Sequence, residues 1–179
     1  MTIPNFISFV RLLLIPVFLS LLIDQLYLLA ALILFFSGLS DLLDGYLART
    51  MNQITKLGIV LDPVADKLTI LAGLIYFYSI SEMPIWFICV VFYRDACALT
   101  GMIALAVSHK KAVVPALKIG KISSAAAMGL LFFLSLKQIW AGFSPVVFVF
   151  YGATLFMVVA SFLVYSKRWF DLFEGKESS

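Results

Sequence analysis

Apolar positions in this chain gather into six long runs, 9–23, 27–43, 58–80, 84–107, 120–138 and 144–165, separated by short polar breaks. Crossing the hydrocarbon of a bilayer takes roughly 20 residues of helix. The pattern therefore predicts an all-α integral membrane bundle of about six transmembrane helices. The first run is short by that measure. The segment leading into it, "IPNFISFV", mixes apolar and small polar residues and predicts a short N-terminal interfacial stretch. A cleaved signal peptide is not expected, because this start lacks a basic region and a small-residue cleavage site, and Arg11 lies inside the apolar run.

Charge placement then predicts an orientation. Arg49 and Lys56 lie between the second and third runs; His109, Lys110, Lys111, Lys118 and Lys121 lie between the fourth and fifth; Lys167, Arg168 and Lys176 follow the sixth. The remaining connections carry only Asp24, Glu82 and Lys137. Since basic loops stay on the cytoplasmic side, both termini and the 44–57 and 108–120 loops are expected in the cytoplasm, most simply at a bacterial inner membrane. Trp86 and Trp140 then fall at the outer interface and Trp169 at the inner one, where aromatic belts form.

Composition agrees: 63% of the 179 residues are hydrophobic and 13% charged, with a mean hydropathy of +1.08, whereas about a quarter of a soluble domain is charged. The net charge of +3 reflects topology and attraction to anionic lipid, and no basic patch with interleaved aromatics suggests nucleic acid. Cys89 and Cys97, eight apart in one apolar run, read as packing residues and not as a metal or redox pair. No repeat or linker divides the chain, so residues 1–179 form one membrane domain.

Against this background the stretch "SDLLDGYLARTMNQITKLGIVLDPVADK" stands out, with Asp41, Asp44, Asp62 and Asp66 closed in by apolar sequence. On helices, Asp41 and Asp44 (i, i+3) share a face, as do Asp62 and Asp66 (i, i+4). Converging carboxylates in a low dielectric repel and would take up protons. Hard divalent cations such as Mg²⁺ or Mn²⁺ remove that penalty. Two ions about 3.5–4 Å apart also clamp the attacking and leaving oxygens of a phosphoryl transfer. Ordinary solvent-facing helix ends would not need four carboxylates beside Gly45 and Gly58. A divalent-cation transporter is the alternative of another class, but it calls for ligands near the midplane and a polar path to the far side, while the outer halves of these runs are almost purely apolar.

The spacing D-x2-D-G-x2-A-R-x8-G-x3-D-x3-D is filled by Asp41, Asp44, Gly45, Ala48, Arg49, Gly58, Asp62 and Asp66. This resembles the CDP-alcohol phosphatidyltransferases at all eight positions. The resemblance implies a metal-dependent enzyme that moves a phosphatidyl group from CDP-diacylglycerol to an alcohol and releases CMP. It implies that Asp41, Asp44, Asp62 and Asp66 hold two metal ions over the pyrophosphate. Asp66 also serves as the base for the acceptor hydroxyl. Gly45, Ala48 and Gly58 admit the nucleotide against backbone, and Arg49 meets phosphate. Small residues permit close approach and an arginine fork suits phosphate.

"IPNFISFVRLLLIPVF" and "VLDPVADK" look closest to the phosphatidylglycerophosphate synthase and cardiolipin synthase branch. On this likeness Asn5 reaches the diphosphate, unless it caps a helix, and Arg11 faces the inner cavity, unless it snorkels to the interface. Arg94, Lys118 and Lys121 would bind the acceptor, with a structural ion pair as the plainer reading of Arg94. Glycerol 3-phosphate is the first choice of acceptor. The Arg94–Asp95 pair departs from the Arg-Glu of many such synthases and looks more like cardiolipin synthases, which use phosphatidylglycerol. Relatives tend to form homodimers, to which small residues such as Ser123 and Ala127 lend slight support.

Overall fold

The computed structural model describes the backbone of residues 3–51, 56–107 and 116–173, and the side chains of residues 10–40, 64–97, 100, 120 and 122–164. The described residues form six α-helices: α1 (Ile3–Ile23), α2 (Tyr27–Met51), α3 (Lys56–Ser79), α4 (Ile85–Val107), α5 (Ala116–Ile139) and α6 (Ser144–Phe173), with a 3-10 turn at Ala141–Phe143 before α6. No strand occurs among the described residues. Each helix lies on one apolar run, and all but α4 continue past that run at one end or both. α2 goes on through Met51, so most of the predicted 44–57 loop is helical, and α6 reaches Phe173. Apolar runs mark the part of a helix that meets lipid or core, and polar flanks with good helix propensity extend it. The stretch predicted ahead of the first run is part of α1 itself; Pro4 falls in the first turn, where a missing N–H costs nothing.

Two tight links have the same construction. At the end of α1 the Leu26 N–H bonds the Leu21 carbonyl (2.8 Å) and the Gln25 N–H bonds that of Leu22 (3.0 Å). At the end of α3, Glu82 bonds Phe77 and Ser81 bonds Tyr78, both at 2.9 Å. These are Schellman caps, whose left-handed residue is usually glycine. Here the positions hold Gln25 (φ 58°) and Ser81 (φ 63°).

Helix α5 occupies the middle, packing against α2, α3 and α6, while α1 packs on α2 and α3, and α4 packs on α3 and α6. The core between them is built from Phe18, Leu22, Leu74, Phe77, Leu131 and Leu134, each at most 1% exposed. Helices approach closely where a side chain is missing. A β-carbon on Gly73 would lie 2.8 and 3.0 Å from the two Leu131 methyls, and one on Gly129 would lie 2.5 Å from the Phe150 ring. Small residues at such crossings let helix surfaces mesh.

Polarity is arranged inside out. Arg11, Arg94, Asp95, Ser37, Thr69, Ser135, Thr154 and Ser161 are buried, whereas Phe35, Phe36, Phe92, Tyr93, Phe148 and Phe156 are more than half exposed. Apolar surface on that scale in water would cost far more than folding yields, and it suits lipid. By length and composition, Ile122–Ile139 and Ala141–Val164 are long and apolar enough to cross a membrane, and Val10–Ile23 and Tyr27–Ser40 are shorter apolar stretches. This is the surface of a membrane protein. Some buried hydroxyls bond their own helix, Thr69 to the Ala65 carbonyl and Ser135 to that of Leu131, both 2.9 Å. At the end carrying the 80–84 link, Lys137 donates to Glu82 at 2.5 Å and the Tyr27 and Tyr76 hydroxyls meet at 3.1 Å.

Candidate active site

Asp41 and Asp44 lie on α2, and Asp62 and Asp66 on α3. Of the four, Asp66 has a described side chain. Those of Asp41, Asp44 and Asp62 lie outside the described residues, as do those of Asn5, Gly45, Ala48, Arg49, Gly58, Lys118 and Lys121. The described half of the site is a polar layer across the interior of the bundle.

Asp66 accepts a hydrogen bond from Nη1 of Arg11 at 2.7 Å, tying α3 to α1. Arg11 is 4% exposed, so it does not snorkel to the surface. The next residue along α3 ties that helix in another direction: Lys67 Nζ lies 2.7 Å from Oδ1 of Asp95 on α4. The same Asp95 oxygen accepts from Nη1 of Arg94. Arg94 then spreads its fork over two further helices, donating from Nε to the Ser161 hydroxyl of α6 (2.8 Å) and from Nη2 to the Gly120 carbonyl of α5 (3.3 Å). Consecutive helix residues point about 100° apart, since 3.6 residues make a turn. Residues 66 and 67 can therefore grip different neighbours.

Arg94 is 2% exposed and bonded within the bundle: its ion-pair partner is the adjacent Asp95 of its own helix, and its links to neighbouring helices are hydrogen bonds to Ser161 and Gly120. Its bond to Gly120 also anchors the backbone of α5 between Lys118 and Lys121. Asp95 and Lys67 carry much of this layer, and neither stands out in the sequence as a site residue. The available signal is one of depth, since an acid and a base inside apolar runs need partners.

Arg11 also lines a groove of about 370 Å³ between α1 and α2. Leu14, Leu21, Leu29 and Phe36 form apolar walls, and Ser37 and Ser40 join Arg11 at the polar end, next in sequence to Asp41. The Ser37 hydroxyl has no hydrogen-bond partner among the described residues.

Carboxylate oxygens are the hard donors that Mg²⁺ or Mn²⁺ prefers, so Asp66, its orientation fixed by Arg11, fits a metal-binding role. Among the described residues no group of three or more metal-binding side chains gathers.

The profile of the CDP-alcohol phosphatidyltransferases matches residues 1–169. The chain belongs to that family. Among its relatives, a Bacillus subtilis protein named CDP-diacylglycerol–glycerol-3-phosphate 3-phosphatidyltransferase is 30% identical over 184 residues, covering 93% of this chain and 94% of its own. A Streptomyces coelicolor protein named cardiolipin synthase (CMP-forming) is 43% identical over 105 residues, 55% of this chain and 49% of its own. A Mycobacterium tuberculosis protein provisionally named as a cardiolipin synthase is 37% identical over 122 residues, 68% of this chain and 58% of its own. The chain thus spans roughly half to three-fifths of the length of these last two relatives.

Proposed function

We propose that the protein transfers a phosphatidyl group from CDP-diacylglycerol to a glycerol-based acceptor, with sn-glycerol 3-phosphate the first choice and CMP the product released. The single observation that carries this is the Asp66 carboxyl group, held at 2.7 Å by a buried Arg11 inside an apolar bundle, at the last position of the complete eight-residue motif. The nearly full-length match to the Bacillus subtilis relative favours the glycerol 3-phosphate acceptor. The Arg94–Asp95 pair and the two cardiolipin synthase relatives keep phosphatidylglycerol as the second reading.

In this reading the bundle spans the membrane six times, with the motif on the cytoplasmic side and both termini there. Asp41, Asp44, Asp62 and Asp66 would hold two Mg²⁺ or Mn²⁺ ions, which would supply charge neutralisation for the diphosphate and the departing CMP. The α1–α2 groove takes an acyl chain, because its apolar walls end in polar side chains beside Asp41. Asn5, Gly45, Ala48, Arg49 and Gly58 receive the CDP moiety. Lys118 and Lys121 meet the acceptor's phosphate, while Arg94, already engaged, adds positive charge from behind them. The acceptor hydroxyl gives its proton to Asp66 and its oxygen bonds the β-phosphorus. The bond to the CMP oxygen breaks in line.

Between the polar layer and the 80–84 end lies the apolar block of Phe18, Leu22, Leu74, Phe77, Leu131 and Leu134. That block argues against a transport path, which needs polar lining throughout. The test is CMP release from CDP-diacylglycerol in lipid, with glycerol 3-phosphate and phosphatidylglycerol supplied separately. Product with the first is expected; product only with the second reverses the acceptor, and product with neither ends the enzyme reading. Asp66→Asn should abolish turnover and still bind CDP-lipid, and retained turnover removes Asp66 as the base.

A further inference from the structure

Two charged residues next to the proposed site have no part in the chemistry just described, yet they are nearly enclosed. Lys67 and Asp95 have side chains 15% and 11% exposed and meet at 2.7 Å. Enclosing an ion pair costs several kcal/mol per ion in lost hydration, so stability alone is a poor reason for burying one. What the pair does geometrically is distinctive. Asp66 is drawn toward α1 by Arg11, and Lys67 is drawn toward α4 by Asp95, so α3 is gripped from two sides at one level. Rotation of α3 about its axis would stretch one bond or the other. The same rotation would swing Asp62 and Asp66 together, since they share a face of this helix.

We propose that Lys67 and Asp95 are positioning residues, whose salt bridge sets the roll of α3 and so aims its two aspartates at the metal ions. This rests on the metal-dependent reading above. Arg94 braces the device: it bonds Asp95 from the same helix and reaches Ser161 and Gly120, so the carboxylate that receives Lys67 is itself held. The charges in this cluster also predict an asymmetry. Lys67→Met leaves Asp95 paired with Arg94, whereas Asp95→Asn leaves Lys67 and Arg94 together without their shared anion. The asparagine variant should be the less stable of the two.

The experiment is Mn²⁺ titration of the full chain in lipid nanodiscs, followed by electron paramagnetic resonance, alongside CMP release and thermal unfolding. The sign discriminates. Removing a cation near an acidic site should tighten Mn²⁺ binding if charge were all that mattered. Misaligned ligands bind more weakly, by about 10-fold or more when a supporting residue is lost. Lys67→Met is expected to weaken Mn²⁺ by about that factor and to lower kcat, with KM for both substrates within about two-fold. Lys67→Arg, which restores the bridge, should recover both. Should the methionine variant not fold, Asp95→Glu keeps every charge and shifts the carboxylate by one methylene, and it should weaken Mn²⁺ in the same direction. Unchanged or tighter Mn²⁺ binding in the folded variant overturns the proposal. Wild-type protein that binds Mn²⁺ without releasing CMP overturns the enzymatic reading instead, and wild-type protein that binds no Mn²⁺ overturns both.

Discussion

Gly73 lies two turns along α3 from Asp66, where α1, α3 and α5 meet. A methyl group there would sit 2.8 and 3.0 Å from the Leu131 δ-carbons and 3.3 Å from the Phe18 ring. Leu131 is fully buried and Phe18 is 1% exposed, so neither has space to retreat into. Overpacking of this kind costs about 1–3 kcal/mol. Alanine recovers about 1 kcal/mol through helix propensity, leaving Gly73→Ala destabilised by about 0–2 kcal/mol from these two terms. Gly129→Ala is the control. Its β-carbon would come nearer to a neighbour, 2.5 Å from Phe150, but that ring is only half-buried and can swing outward. Its clash should cost less, leaving it within about 1 kcal/mol of wild type on either side. Equilibrium unfolding in mixed micelles reads both. Activity should separate them further. Pushing α3 off α1 pulls Asp66 from Arg11, and a misplacement of about 1 Å near reacting groups can cost about 100-fold in rate. CMP release by Gly73→Ala should therefore fall well beyond its loss of stability. If Gly73→Ala matches the wild type in both assays, or Gly129→Ala is the worse of the two, the packing argument is wrong.

Glycine at either Schellman position, Gln25→Gly or Ser81→Gly, should raise stability by about 0.5–1 kcal/mol, because the left-handed conformation strains a residue with a β-carbon; a loss in the same unfolding assay would contradict the capping geometry. Glu82 is held below its ordinary value of 4.5: burial pushes it up, but hydrogen bonding to Lys137 and Gln138 and the Lys137 charge outweigh this. A carboxyl with a depressed folded pKa stabilises above its ordinary range, and that contribution fades as pH falls through the folded value. Acid titration of unfolding should show the loss below about pH 4.5, and Lys137→Met should shrink it.

Much of this arrangement is legible in the amino-acid sequence. Six apolar runs locate six helices because hydrophobicity and helical backbone coincide wherever a segment meets lipid or core. The helix ends are not legible, since the polar turns of α2 beyond residue 43 carry no hydrophobic signal. The aspartates declare themselves by being costly where they stand. Their partners do not: Arg11 and Asp66 are 55 residues apart, and the pairing depends on how α1 packs against α3. Arg94 is assigned to the acceptor by family likeness, with a structural pair as the plainer alternative, and the sequence does not say how its donors are shared out. The chain supplies an anion from the adjacent residue, and the remaining donors close onto α5 and α6.

The greasy plug of Phe18, Leu22, Leu74, Phe77, Leu131 and Leu134 has a consequence for the cell. On the proposed reading, a polar site cut into an energy-coupling membrane would invite leakage of protons. A floor sealed by tightly meshed hydrocarbon would let such a site admit water and polar reactants from a single side while the electrochemical gradient across the bilayer stayed intact.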